Sequence, residues 1–151
     1  MKLAEALIQR SDCKKRLEQL SDRLIKCAKV QEGDNPPESP KELLEEIEHV
    51  TKELENLIIL INRTNSTVKY DDNLTLSEAL TKRDTIWTKR SILKNLIENA
   101  RITQNRYSKS EVRFQSTVNI SQIQNEVDRL AKEFRVIDTK VQGINWTTNL
   151  V

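Results

Sequence analysis

Apolar residues recur along the last third of the chain in an unbroken alternation of three-residue and four-residue steps. The positions are Ile120, Ile123, Val127, Leu130, Phe134, Ile137, Val141 and Ile144. This heptad pattern is typical of a helix that packs along its whole length against other helices. We therefore predict an amphipathic helix over residues 119–144.

Weaker versions of the same pattern predict three more helices, over residues 2–30, 40–62 and 75–104. Arg10 interrupts the apolar stripe of the first of these helices, and Arg83 and Arg90 interrupt that of the third. The sequence thus predicts an all-α fold of four long amphipathic helices in a bundle or in paired coiled-coil hairpins. We expect residues 1–151 to form a single helical domain.

Two helix starts carry strong local signals. Ser39 precedes Pro40 and is followed three residues later by Glu42, which is a capping box with proline at the first helical position. Thr75 and Glu78 form a second capping box. These signals set the starts of the second and third helices.

Two connectors contain short β-prone stretches, Thr67–Tyr70 and Val112–Val118. The third helix separates them, so they cannot pair with each other if that helix is straight. An unpaired strand offers its backbone to another chain, and we therefore predict a homo-oligomer that uses Val112–Val118. The alternative is that both stretches are extended loops.

Composition narrows the functional classes. The net charge of +2 creates no global field toward nucleic acid or membrane, and no segment approaches the roughly 20 apolar residues of a membrane span. We expect a cytoplasmic protein that has no membrane partner and is unlikely to bind nucleic acid. Cys13 and Cys27 lie roughly 21 Å apart on one helix and cannot bridge, so we expect buried reduced thiols.

Enzymatic chemistry has little support in the sequence. A di-iron bundle needs two Glu-x-x-His pairs, whereas this chain has one, Glu46 with His49, and a single histidine. We therefore predict no metal, no cofactor and no catalytic residue. The alternative is a magnesium-dependent hydrolase of phosphorylated compounds that uses the carboxylates of the second helix. Those carboxylates are Glu42, Glu45, Glu46 and Glu48.

A second alternative is a weak nucleic-acid binder. The segment from Arg101 to Phe114 interleaves basic residues with Tyr107 and Phe114, the pattern of a single-strand binding surface. A solvated loop explains the same composition, and we prefer that interpretation.

Polar residues converge at one end of the predicted bundle. If helices alternate in direction, helices 1 and 3 begin at the end where helices 2 and 4 finish. Arginines near two helix N-termini, with Asn and Thr side chains, favour a small anionic ligand. The predicted ligand-binding residues are Arg10, Asn62, Arg63, Thr64, Asn65, Arg83, Asp84, Asn145, Trp146 and Thr147. The alternative is that Arg10 and Arg83 pair with nearby carboxylates and only fix helix register.

Four irregular polar motifs run through the chain. They are KVQEGDNPPESP at 29–40, INRTN at 61–65, RYSKSE at 106–111 and NWTT at 145–148. With these motifs the chain resembles a small bacterial family of unknown function, some of whose members carry the label septicolysin. That label implies a secreted cytolysin, which this sequence does not support. We expect a non-enzymatic helical scaffold or ligand-binding protein.

Overall fold

The structure is a computed structural model that describes residues 1–102 and 113–151. In these two ranges it has four helices: α1 (Leu3–Lys26), α2 (Pro40–Thr67), α3 (Leu76–Ala100) and α4 (Ile120–Thr147). Helices account for 74% of the residues described there, and these residues contain no strand. The predicted all-α bundle fold is confirmed.

The ends of the helices differ from the predicted ones. The helix α2 continues five residues beyond 62, and α4 continues three beyond 144. Both extensions contain threonines whose hydroxyls bond to the preceding turn. Thr64 donates to Leu60 O at 2.8 Å, and Thr147 donates to Gly143 O at 3.0 Å, so these polar side chains are satisfied inside the helix.

The helices α1 and α3 are shorter than predicted, because they finish at Lys26 and Ala100. Cys27 N bonds to Leu24 O at 2.9 Å, three residues back, which tightens and closes the last turn of α1. At the start of α2 the predicted cap is confirmed, since Ser39 Oγ accepts from Glu42 N at 3.4 Å.

The chain forms two compact units. Unit 1 comprises Met1–Leu76 and Gln142–Val151, and unit 2 comprises Ser77–Val141. Unit 2 is therefore inserted, in sequence, between the two segments of unit 1. A single cooperative domain over residues 1–151 stays a prediction.

In unit 1, α1 and α2 run antiparallel. Arg16 Nε donates to Glu46 Oε1 at 2.9 Å, while Arg23 Nε donates to Glu38 Oε2 at 3.0 Å. The later residue of α1 thus meets the earlier residue at the start of the second helix, which shows that the two helices run in opposite directions. The buried apolar side chains of this hairpin are Leu3, Ala6, Cys13, Leu20, Leu43, Val50, Leu57 and Ile61. These residues keep the predicted heptad spacing.

Residues 1–3 and 148–151 form a short backbone pairing, which we call the terminal clasp. Leu3 N donates to Thr148 O at 2.9 Å, and Leu150 N donates to Met1 O at 3.0 Å. Val151 N donates to the hydroxyl of Thr64 at 3.1 Å, which adds the last turn of α2. The start of α1 and the ends of α2 and α4 therefore meet, as the alternating topology predicts.

The connector between α2 and α3 folds on itself. Lys69 forms an isolated antiparallel bridge with Thr75, and Leu76 N donates to Val68 O at 2.8 Å. The expectation of an unpaired strand at Thr67–Tyr70 is therefore wrong, because Thr67 ends α2 and Lys69 pairs within its own connector. In the second β-prone stretch, residues 113–118 form no strand, while Val112 lies outside the described residues.

In unit 2, α3 and α4 also run antiparallel. Lys89 Nζ lies 3.2 Å from Glu126 Oε1 near the start of α4, and Arg83 Nη1 lies 2.8 Å from Asp138 Oδ1 further along it. The predicted seam of α4 faces inward, with Val127, Leu130, Ile137 and Val141 buried. Phe134 is only half-buried, because α3 presents Trp87 and Arg83 to its ring rather than aliphatic groups.

Candidate functional site at the helix ends

The predicted ligand-binding residues fall into two groups. Arg10 on α1, residues 62–65 on α2 and residues 145–147 on α4 belong to unit 1, whereas Arg83 and Asp84 on α3 belong to unit 2. Residues 63–65 and 145–147, which the predicted bounds leave outside the second and fourth helices, lie inside the longer α2 and α4. Their side chains therefore have defined helical directions.

Two polar residues are buried in the parts of the chain that the structure describes, and both come from the predicted set. Thr64 is 0% exposed and Asn145 is 6% exposed. The Thr64 hydroxyl donates to Leu60 O and accepts from Val151 N, so it is satisfied. Their neighbours Asn62, Arg63, Trp146 and Thr147 are exposed.

The side chain of Asn145 makes no hydrogen bond with any residue in the described ranges. The residue as a whole is 6% exposed, but its amide atoms are not fully shielded from solvent, so a small group from solution can reach them. The pairing of Leu3 with Thr148 in the terminal clasp gives the position of Asn145 relative to α1. Counting three residues from Leu3 into α1 and three back from Thr148 into α4 places Asn145 level with Ala6, which is fully buried.

Arg10 follows Ala6 by four residues, so the two share one face of α1. Helical side chains lean toward the N-terminus of their helix, which directs Arg10 toward the height of Ala6 and therefore of Asn145. Arg10 is half-buried and forms no ion pair with a residue that the structure describes. Glu5, the expected partner, instead accepts from Lys2 N at 2.6 Å and caps α1.

Arg83 has its charge met by two carboxylates. Its guanidinium contacts Asp84 Oδ1 at 2.9 Å and Asp138 Oδ1 at 2.8 Å. Burial opposes the charge of Arg83, but these hydrogen bonds outweigh it and raise its pKa above the ordinary value. The contacts match the alternative in which Arg83 fixes helix register, and a ligand-binding role for Arg83 and Asp84 stays a prediction.

The carboxylates proposed for a hydrolase are mostly engaged as well. Glu46 pairs with Arg16, and Glu48 lies 3.0 Å from Lys52. In the ranges 1–102 and 113–151, no group of three or more His, Cys, Asp and Glu side chains is placed to hold a metal ion. A magnesium ion on α2 would have to displace these cationic partners.

The other predicted features have different outcomes. Cys13 and Cys27 are buried and free, as expected, and burial, followed by Glu53 and Asp12, raises the pKa of Cys13. Most of the basic segment, residues 103–112, lies outside the described residues. Within the described ranges, no helix combines the length and hydrophobicity that a bilayer crossing requires.

Sequence reasoning missed a row on unit 2 in which two neighbouring aromatic rings lie between two arginines. The Trp87 and Phe134 rings lie 5.1 Å apart, Arg83 lies 5.9 Å from the centre of the Phe134 ring, and Arg90 lies 5.1 Å from that of Trp87. The available signal was the interruption of the α3 stripe at Arg83 and Arg90. Only the register against α4 shows which of these arginines meets an acid.

The chain is similar to other proteins of unknown function. A family described as "Family of unknown function (DUF6847)" matches residues 10–150. This chain is 40% identical in sequence to a functionally unknown conserved protein from Corynebacterium diphtheriae whose crystal structure is known. The match covers 100% of this chain and 99% of that one, with a TM-score of 0.94. No curated protein matches the chain. Neither finding carries the label septicolysin.

Proposed function

Because the chain belongs to the DUF6847 family, whose function is unknown, we propose a function from its own residues. The protein is a non-enzymatic helical protein that binds a small anion near the helix ends of unit 1. The observation that carries this proposal is Asn145, a residue that is 94% buried and whose side-chain amide has no hydrogen-bond partner among the described residues. A bound group would supply that partner.

Arg10 supplies the charge that selects an anion. It lies one turn from Ala6 on the face that α1 turns toward the core, and no carboxylate of the described chain neutralises it. The N-terminus of α1 contributes little to anion binding, because its first N–H groups already have partners. Glu5 accepts from Lys2 N, and Thr148 O accepts from Leu3 N. Selectivity for a carboxylate or phosphate oxygen thus rests on the guanidinium and the amide.

The test is a titration of the protein with inorganic phosphate and, separately, acetate. Binding is followed through the side-chain NH₂ resonances of Asn145. We expect a saturable shift that Arg10→Gln abolishes. The control is Arg63→Gln, which removes the same charge from an exposed position of unit 1 and should bind like the wild type. Absence of a saturable shift with either anion would refute the proposal.

A stability measurement separates a binding role from a structural one. The amide of Asn145 makes no hydrogen bond with the described residues, so Asn145→Ala breaks none and should leave the free energy of unfolding within about 1 kcal/mol of the wild type. A loss of about 3 kcal/mol would indicate that Asn145 serves the fold instead.

The proposal includes a cytoplasmic location and assembly with further copies of the chain. Phe114, which is 86% exposed and lies within the second β-prone stretch, supports assembly. Light scattering at micromolar concentration tests assembly, since a particle of 17.6 kDa would exclude it. Arg113→Pro then tests the strand, because it removes one backbone donor and should reduce the particle mass.

A further inference from the structure

Arg90 on α3 holds a buried nitrogen that nothing in the protein satisfies. Its Nε is shielded from solvent and has no hydrogen-bond partner, and it is the one such side-chain atom in the described ranges. Arg90 also forms no ion pair with a residue of those ranges. An unpaired buried donor in a native fold calls for an explanation such as a bound ligand.

The register of α3 against α4 shows why Arg90 lacks a partner. Arg83 pairs with Asp138, and the Trp87 ring packs at a tilt against Phe134, four residues further along α3 and four residues back along α4. If the register continues for three residues in each direction, Arg90 lies level with Ala131. Arg83 therefore meets a carboxylate, whereas the residue level with Arg90 is an alanine, which cannot accept a hydrogen bond through its side chain.

Trp87 orients the guanidinium of Arg90 without using its donors. The guanidinium carbon lies over the indole, 5.1 Å from its centre, which is a cation–π contact. The N–H groups of an arginine point outward from the edge of the planar guanidinium. The contact with Trp87 therefore leaves N–H groups of Arg90 free to bind an acceptor.

We propose that Arg90 and Trp87 form an oxyanion-binding site on unit 2. A carboxylate or phosphate accepts hydrogen bonds from Nε and one Nη of Arg90, the two-pronged geometry that suits both groups. Trp87 is 49% exposed, so a small rotation of its indole can admit the anion to the shielded Nε. This site involves none of the residues of the helix-end proposal and stands independently of it.

The test observes Arg90 directly. Its ¹H–¹⁵Nε resonance, assigned by its disappearance in Arg90→Lys, is followed during titrations with inorganic phosphate, acetate and chloride. Emission of Trp87 in a Trp146→Phe background is the second readout, since the chain has two tryptophans. We expect saturable changes in both signals with an oxyanion and none with chloride. The anion that binds more tightly shows whether the site prefers a phosphate or a carboxylate.

Three variants make the result specific. Arg90→Lys keeps the charge but loses the two-pronged geometry, so we expect Trp87 to report binding weakened about tenfold or more. Arg135→Gln, an exposed arginine on α4, is the matched control and should bind normally. Ala131→Asp places a carboxylate level with Arg90, and it should abolish anion binding while raising the melting temperature.

The proposal fails if neither oxyanion gives a saturable change, which would leave an ordered water as the partner of Nε. It fails equally if chloride reproduces the effect or if Ala131→Asp binds like the wild type. Arg10→Gln should leave the Arg90 signal unchanged, so failure of the helix-end site and failure of this one are distinguishable. Circular dichroism confirms that each variant is folded.

Discussion

A single glycine weakens α4. Gly143 lies inside the helix, and a methyl group at its Cα would meet nothing within 4 Å. Because glycine in a helix costs about 0.5–1 kcal/mol relative to alanine, we expect Gly143→Ala to raise the free energy of unfolding by that amount. A urea melt measures it. Gly33→Ala is the contrasting control, because Gly33 has φ of +92° and the change should destabilise the protein.

Glu126 on α4 titrates at unusually low pH. Hydrogen bonds from Arg129, and next from Lys89, lower its pKa from 4.5 to about 2. Because the pKa is lower in the folded state, Glu126 contributes its stabilisation fully above pH 4.5 and loses it as the pH falls toward 2. A carboxyl-carbon NMR titration should show Arg129→Ala raising this pKa more than Lys89→Ala does. The reverse order would contradict the assignment of the main partner.

At the scale of the helix, Phe134 is the aromatic anchor between α3 and α4. Its ring packs at a tilt against Trp87 and lies beneath Arg83. Because it is half-buried, we expect Phe134→Ala to cost about 3 kcal/mol, near the lower end for buried aromatics. Phe114→Ala is the control, since that ring is 86% exposed and its loss should cost little. Equal effects in a denaturant melt would show that the contact with Trp87 adds no stability.

The predictability of these helices depends on the range of the interactions involved. Capping at Ser39 and the seam of α4 are local patterns, and both are visible in the sequence. The extension of α2 to Thr67 is not visible in the sequence, because the composition of that segment favours a loop. The burial of Asn145 and the isolation of Arg90 depend on register between helices, which no local pattern encodes.

At the scale of the whole molecule, both boundaries between the two units fall inside helices. The boundaries fall between Leu76 and Ser77 in α3 and between Val141 and Gln142 in α4. Unfolding either unit alone would therefore break a continuous helix, so we expect one cooperative transition. Circular dichroism and Trp87 fluorescence should give the same midpoint, and Phe134→Ala should shift both equally. Two separate midpoints would contradict a single cooperative domain.

The terminal clasp has a consequence for how the chain folds as it is made. Unit 2 is complete in sequence once residue 141 has been synthesised, whereas unit 1 needs residues 142–151. Leu3 and Met1 pair with Thr148 and Leu150, which are synthesised long after them. During translation the α1–α2 hairpin therefore lacks the clasp at its base while the segment of unit 2 is already complete. Residues 1–3 acquire these contacts only after unit 2 has been made.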